Sequence, residues 1–520
     1  MKEHLLVVDI GTQSLRASII DKDGNTIVFS QKKYETPYFS VKEGFAEQDA
    51  DYYMDVLAEA TTEIYEKEPE ALNTISGMVM VSFRDSSLIL DKDLKPIRPA
   101  VLWLDQRITR IPKMKNLKWY EKLIFKVVGM TDTAKYNAER TITYWLMENE
   151  KESWEKMAHF VPLSTYFNYK VCGNLVLSTA DCAGHYPFNF KKGKWFSKLH
   201  PKTDVFSIPT ETLPELVKAG GELGKVTHEF SVKSHIPEGT VLIASGSDKS
   251  CETLGNGCID KTKASISLGT ACTIDIVDSK YSEPETFLPS YQAPYPNAFD
   301  LEVQIYRGMW MVRWYLDNFG ANDMIEAKEK GMPVEDYLAF EMEKIPCGCD
   351  GLVLQPYWGP GLKRPNAKGS IVGFSGVHTR HHLYRAIFEG IAFALREGME
   401  TIMKKTKRKP DCLVVSGGGS RSSFMCHILA DVFNLPVVCS ATSESSSLGG
   451  AMSGFLSLGI FPNEKEAVKS MVREGEEIKP IPEHHRLYEK VYQKIYLKMY
   501  PKMKSVYDSC KNFYLDEKKD

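Results

Sequence analysis

The chain of 520 residues is 43% hydrophobic and 26% charged, with a formal net charge of −3. Those proportions describe a globular protein of roughly two to four domains and exclude a disordered chain. The near-neutral balance argues against a dedicated nucleic-acid binder, no apolar run approaches membrane-span length, and the four-residue apolar run before Asp9 is too short for a signal peptide.

In chain order, the pattern predicts a strand over residues 5–9 that runs into Gly11-Thr12. A hairpin of 17–20 and 26–29 follows, joined by Asp21-Lys22-Asp23-Gly24-Asn25. A helix is expected over 50–67, a strand over 75–81, and a second hairpin pairing 87–90 with 100–102. Strands and helices read as alternating to about residue 179, followed by an irregular surface segment, 187–214, rich in Phe, Trp, Lys and Pro. A strand over 241–244 ends at Ser245-Gly246-Ser247-Asp248.

The second half repeats the theme. Strands fill 264–277 around Leu268-Gly269-Thr270, and helices are expected over 308–318 and 383–404. A buried strand, 412–415, stops at Ser416-Gly417-Gly418-Gly419, before a helix with Phe424, Ile428, Leu429, Val432 and Phe433 on one face. Tyr488, Val491, Tyr492, Ile495, Tyr496, Met499 and Tyr500 recur at helical spacing, the mark of core or subunit contact. This divides the chain into an N-terminal domain, 1–250, a C-terminal domain, 251–465, and a helical extension, 466–520. The eleven scattered cysteines contain no CxxC pair and read as reduced thiols of a cytoplasmic protein.

Two strands ending in Gly-Thr turns, one per half, suggest a duplicated nucleotide-binding fold that grips ATP from both sides. Such a turn offers free backbone N–H groups and a hydroxyl to phosphate oxygens. Phosphoryl transfer also needs Mg²⁺, a base and an adenine pocket. Asp9, after the first strand, is the candidate to hold Mg²⁺ through water, its plainer role being to cap the turn. Asp248 is the candidate base, although an Asp after glycine is often just a turn residue. Gly417, Gly418 and Ser422, at a strand-to-helix turn, have the form of an adenosine contact. Arg84 and Asp85 have the donor and acceptor chemistry to bind vicinal hydroxyls, with an exposed ion pair as the alternative. Trp103 and Asp105 line the same pocket or form a structural corner. His378, His381 and His382 lack partners at metal spacing and read as helix-start contacts.

Together these motifs resemble the FGGY carbohydrate kinases, within the superfamily of sugar kinases, Hsp70 and actin. The likeness runs from Asp9-Ile10-Gly11-Thr12-Gln13-Ser14 to Ser447-Leu448-Gly449-Gly450-Ala451. Its most specific part is the C-terminal signature: Gly369-Ser370-Ile371-Val372-Gly373-Phe374, then His382-Leu383, then Ala386-Ile387-Phe388-Glu389, followed throughout except at Phe374, where a smaller aliphatic residue is usual. Pro365-Asn366-Ala367-Lys368-Gly369 precedes it. The resemblance implies an α/β protein of two actin-like (ribonuclease H-like) domains with a cleft between them. It implies an ATP- and Mg²⁺-dependent kinase of a small sugar or polyol; charge and hydropathy point to no nucleic-acid or membrane partner, and a homodimer is the statistical default assembly. It assigns the catalytic base to Asp248, the metal to Asp9 and Asp248, and ATP contacts to Thr12, Ser14, Arg16, Gly269, Thr270, Gly417, Gly418 and Ser422. Acceptor contacts fall to Arg84, Asp85, Gln13, Trp103, Asp105 and Lys249.

The chain also departs from the family. Ile142 stands where a second signature carries Lys, Glu139 where a small residue is usual, and Ser445-Ser446-Ser447 where Ala-Thr-Ala is usual. Lys249 replaces the commoner Gln or Asn after the catalytic Asp, and a cation there invites an acidic or phosphate-like acceptor. The rival from another class is an ATP-binding switch or scaffold of the same superfold, which would need neither Asp248 nor the Arg84-Asp85 pair.

Overall fold

The computed structural model describes residues 4–111, 114, 116–285, 288–359, 361, 364 and 366–517, with side chains through Cys510. Pro365 of the quoted signature lies outside the described residues.

The first half is built on a six-stranded sheet. Strand β1 (His4–Ile10) is buried along nearly its whole length and pairs antiparallel with β2 (Ser14–Asp21), which turns into β3 (Thr26–Lys33). Asp21 Oδ1 fixes that turn by accepting from the backbone N–H groups of Asp23 and Asn25, at 2.9 and 2.8 Å. Helix α1 (Ala50–Lys67) begins where the Asp49 side chain accepts from Asp51 N, and it matches the predicted span. The chain returns through β4 (Ile75–Ser82), parallel to β1, and later adds β5 (Glu222–Lys225) and β6 (Val241–Ile243). The sheet order is β5-β6-β4-β1-β2-β3.

The second half opens with helix α2 (Asp248–Gly255) and forms a seven-stranded sheet on the same plan. Strands β7 (Lys263–Leu268) and β8 (Cys272–Asp278) make the leading antiparallel pair. Strands β9 (Tyr291–Gln292) and β10 (Phe299–Ile305) extend it on one side. The long helix α3 (Arg380–Thr406) leads to β11 (Cys412–Ser416), which lies parallel to β7 as β4 lies parallel to β1. Helix α4 (Ser423–Phe433), β12 (Val437–Ser440), helix α5 (Ser445–Ser457) and β13 (Glu474–Ile478) complete the half, in the order β9-β10-β8-β7-β11-β12-β13. The segment after residue 465 thus supplies a strand as well as helices.

The halves interlock. Helix α5 lies against the first sheet, with Leu448, Ala451, Met452 and Phe455 in one core with Leu5, Val7, Val79 and Val81. It crosses α2 so closely that a Cβ on Gly449 would sit 1.8 Å from the Cys251 carbonyl oxygen, and one on Gly255 1.9 Å from that of Ser445. Residues with any side chain cannot occupy that crossing without moving a helix.

Two expectations fail. Between the second hairpin and residue 159 the chain is a succession of helices, Trp119–Val127, Thr131–Arg140, Ile142–Asn149 and Lys151–Lys156, rather than an alternation. Segment 187–214 is not a surface excursion. Phe188, Phe190 and Phe206 are buried with Tyr186 in a core of their own, and Trp195 Nε1 donates to the Pro214 carbonyl at 2.8 Å. Its elements, two-residue strands, one six-residue helix and one three-residue 3-10 helix, are too short to display a period.

The tyrosine stripe is core: Tyr488, Tyr492 and Tyr496 gather around Phe393 of α3 at centroid distances of 5.3 to 5.9 Å. The family-like signature is architectural too. Glu389 accepts from Arg385 Nε, Tyr488 Oη and Gly348 N, while Gly373 (φ 104) lies where a Cβ would be 2.2 Å from the Gly351 carbonyl. At the start of α3, His382 bonds Thr379 and Asp350, and His381 bonds Asp323.

Candidate active site

Parallel strands aim their carboxyl ends at one edge of a sheet, and loops there can meet around a ligand. In the first sheet Ile10 of β1 is level with Ser82 of β4, so the Gly11-Thr12 turn and the Arg84-Asp85 loop emerge side by side. Strand β6, parallel to β4, delivers Ser245–Asp248 to the same edge. In the second sheet Ser267 of β7 is level with Ser416 of β11, which brings Gly269-Thr270 beside Gly417-Gly418.

The first turn is tight, with Gly11 N donating to the Ser14 carbonyl at 3.0 Å. Thr12 Oγ1 accepts from Trp103 Nε1 at 3.1 Å, which ties the candidate sugar-facing tryptophan to the phosphate turn. Ser14 is buried, its hydroxyl accepting from Gln31 Nε2 at 3.2 Å, and Gln13 is exposed. Asp9 is 6% exposed and its carboxyl is pushed up to about 7. Burial is the main cause; Arg16, at 3.6 Å, opposes it, and the carboxylates of Asp248, Glu444 and Glu252 reinforce it. Arg16 also pairs with Glu444 at 3.1 Å.

On the other side, Thr270 is exposed, and the carbonyls of Gly269 and Thr270 accept from Met309 N and Trp310 N. Gly417 has φ 84 and ψ 176, a conformation in which only glycine is at ease, and a Cβ there would meet the Leu268 carbonyl at 3.0 Å. Gly418 has nothing within 4 Å of its Cβ position, so its backbone is open to a flat ligand. The Ser422 hydroxyl caps α4 by accepting from Met425 N at 3.3 Å.

Asp248 is the first residue of α2, half-buried, with Oδ1 accepting from Lys249 N at 2.8 Å. Its charge bears on Asp9 on one side and on Arg84 and Asp181 on the other. Lys249 does not face the acceptor as a free cation. Its Nζ holds Glu252 and the Ser267 hydroxyl, each at 2.8 Å, and Glu252 in turn accepts from Ser416 Oγ at 2.6 Å. Despite burial, this partnership raises the Lys249 pKa and, against the same desolvation, lowers that of Glu252. The basis for expecting an acidic acceptor is therefore lost.

Asp105 is likewise withdrawn from the pocket. Both its oxygens are used, by Arg107 Nε and Nη2 at 2.7 Å and by Ala46 N at 2.8 Å, so it is the structural corner. Arg107 is in turn sandwiched against Phe45 and Trp145.

Arg84 and Asp85 do lie beside the Asp248 loop, but each has a partner that sequence did not reveal. Arg84 Nη2 donates to Glu302 of β10. Asp85, held at φ 58, meets His185 Nδ1 at 3.0 Å. Against the upward push of burial, His185 holds the Asp85 carboxyl low, and Asp85 raises His185. Asp181 was also missed: burial pushes its carboxyl up to about 7, with Asp248 adding to the shift and Ser164 and Arg84 opposing it.

Among the described residues no group of three or more His, Cys, Asp or Glu is placed to hold a metal ion. A buried, undercompensated Asp9 near Asp248 nonetheless fits Mg²⁺, which takes few protein ligands and completes its shell with phosphate oxygens and water. No helix among the described residues is long and apolar enough to cross a membrane.

Residues 4–255 match the FGGY family of carbohydrate kinases, N-terminal domain, and residues 264–458 its C-terminal domain. A xylulose kinase of Lactococcus lactis is 26% identical over 94% of each chain. An uncharacterized sugar kinase of Escherichia coli, YgcE, is also 26% identical, over 94% of this chain and 91% of its own. Among solved structures, ligand-bound xylulose kinase from Lactobacillus acidophilus has a TM-score of 0.82 at 21% identity, covering 97% of this chain and 99% of its own. Gluconate kinase from the same organism has a TM-score of 0.81 at 21% identity with the same coverage. The fold is that of two actin-like domains with a cleft between them.

Proposed function

Because the chain belongs to the FGGY family of carbohydrate kinases, we propose that it transfers the γ-phosphoryl group of ATP to a hydroxyl of a small sugar or polyol, with Asp248 as general base. In this reading residues 1–250 carry the acceptor site and residues 251–465 the nucleotide site. One observation supports it above the others. Neighbouring parallel strands deliver the Gly11-Thr12 turn, the Arg84-Asp85 loop and Asp248 to one sheet edge.

The two glycine turns bind phosphate oxygens through backbone N–H groups, and the open backbone at Gly418 takes the adenosine. Arg84 and Asp85 orient the acceptor, donating to and accepting from its hydroxyls. Asp248 takes the proton of the attacking hydroxyl as the new O–P bond forms in line with the bond that breaks. Asp9 and Asp248 would hold Mg²⁺, which when bound offsets the charge of the phosphates. Closure of the halves around the cleft keeps water from the γ-phosphate, against which it would otherwise compete as a nucleophile.

The test is Asp248→Asn, which keeps shape and removes the base. Turnover on the best acceptor from a sugar and polyol panel should fall by about 10³-fold or more, with ATP affinity retained. Near-normal phosphorylation by the variant would rule out the assignment.

A further inference from the structure

The guanidinium of Arg84 is not free to offer both its branches to an acceptor. Nη2 donates to the two carboxylate oxygens of Glu302, at 2.9 and 2.6 Å, and the group lies 4.0 Å from the centroid of the Tyr291 ring. Both partners come from the other half of the molecule, on β10 and β9. The Arg84 and Glu302 side chains are 9% and 5% exposed. Arg84 Nη1 is buried as well, yet it has no hydrogen-bond partner among the described residues. An unsatisfied guanidinium donor at this depth costs free energy, so a ligand oxygen is its natural complement.

Two further buried carboxyl groups lie beside this pair. Asp275, opposite Glu302 in the sheet, and Asp300, two residues before it, are pushed far up, by burial first and then by the charge of Glu302. Glu302 is the one of the three whose carboxylate oxygens meet Arg84 Nη2.

We propose that Glu302 is a positioning residue for the acceptor: by occupying the Nη2 branch of Arg84 it leaves Nη1 to meet the ligand without a parallel Nη2 donor beside it, which selects a hydroxyl of a neutral polyol or sugar over a carboxylate. A carboxylate is matched best by two parallel N–H donors, and that fork is already half taken. Asp248 adds like charge against an acid, while Asp85 is paired with His185 and the nearby Lys249 with Glu252. The inference rests on the reading that Arg84 and Asp85 meet the acceptor, and it makes recognition depend on both halves.

The experiment compares the full-length wild type with Glu302→Ala and Glu302→Gln, using neutral pentitols and hexitols and the aldonates of equal carbon number. Acceptor binding is measured by calorimetry without nucleotide, and kcat and KM are measured with ATP. The wild type should bind its preferred neutral acceptor at least tenfold more tightly than the matching aldonate. Glu302→Ala should raise the KM of that acceptor tenfold or more and leave the KM of ATP unchanged. It should also shift the neutral-to-acid ratio toward the acid by tenfold, because the fork is released. Glu302→Gln, which keeps one oxygen toward Nη2, should fall between. A wild type that prefers aldonates or binds no neutral polyol would overturn the proposal. So would a Glu302→Ala protein whose losses are equal for neutral and acidic acceptors. Should the expected binding ratios appear without turnover on any acceptor, the kinase reading fails and this one stands.

Discussion

Replacing Gly449 with alanine sets a gain in helix propensity against a backbone collision. Alanine is worth about 1 kcal/mol over glycine inside a helix, through lower backbone entropy in the unfolded chain. At this position, however, the new methyl would lie 1.8 Å from the Cys251 carbonyl oxygen and 2.9 Å from Gly255 N, where ordinary contact begins at 3.4 Å. Both obstacles are main-chain atoms of α2, so no rotamer change relieves them. The two helices would have to part by roughly 1.5 Å, and overpacking of this kind costs about 1–3 kcal/mol or more. The collision should win, with a net loss of about 2 kcal/mol. Urea unfolding of Gly449→Ala beside wild type measures it. Gly454→Ala is the control, since its methyl would meet the end of the Leu5 side chain at 2.7 Å, an atom that can move, and its loss should be smaller. A Gly449→Ala protein as stable as wild type would refute the close crossing.

Gly418→Ala should leave thermal stability unchanged, because nothing lies within 4 Å of its Cβ position, and yet raise the KM of ATP about tenfold by crowding the nucleotide face. Equal KM values would remove Gly418 from that face. Asp105→Asn should destabilise by about 3 kcal/mol in urea titrations, since it breaks a buried pair with Arg107, while leaving the acceptor KM alone; a raised KM at wild-type stability would return Asp105 to the pocket. Asp181 sets a pH dependence. Its folded-state pKa of about 7 exceeds its unfolded value, so it stabilises the protein below the ordinary carboxylate range and loses that contribution as pH rises through 7. Asp181→Asn lacks this decline, so its stability advantage over wild type should widen between pH 4 and pH 7, and a constant difference would contradict the assignment.

The sequence disclosed what local chemistry writes into consecutive residues. Helix α1 was legible to the residue because Asp49 caps a long amphipathic run, and the two Gly-Thr turns were legible because each interrupts a strand of buried apolar residues. What failed depended on partners distant in the chain. Strand β10 went unseen, and its polar positions, Asp300 and Glu302, look like a solvent face until the first half supplies Arg84. Lys249 has Glu252 three residues on along its own helix, but nothing near it in the sequence showed that Ser267 would engage it too. Asp105 seemed available because Ala46, which donates to its Oδ2, lies 59 residues away, although its other partner, Arg107, is only two residues on. The aromatic segment 187–214 was misread for the opposite reason: it is core, but in pieces shorter than any period.

The position of α5 has a consequence during synthesis. One face of the first sheet, with Leu5, Val7, Val79 and Val81 fully buried, is covered by residues 448–472 rather than by its own half. Even the turn at Gly24 rests on that late segment, its Cβ position 2.4 Å from the Met471 carbonyl. A ribosome that has finished the sheet at β6 must still add about two hundred residues before the cover arrives, a delay of roughly 10–40 s at typical elongation rates. For that interval a nascent apolar surface stands open, and it is the window in which a holding chaperone or aggregation would compete for the chain.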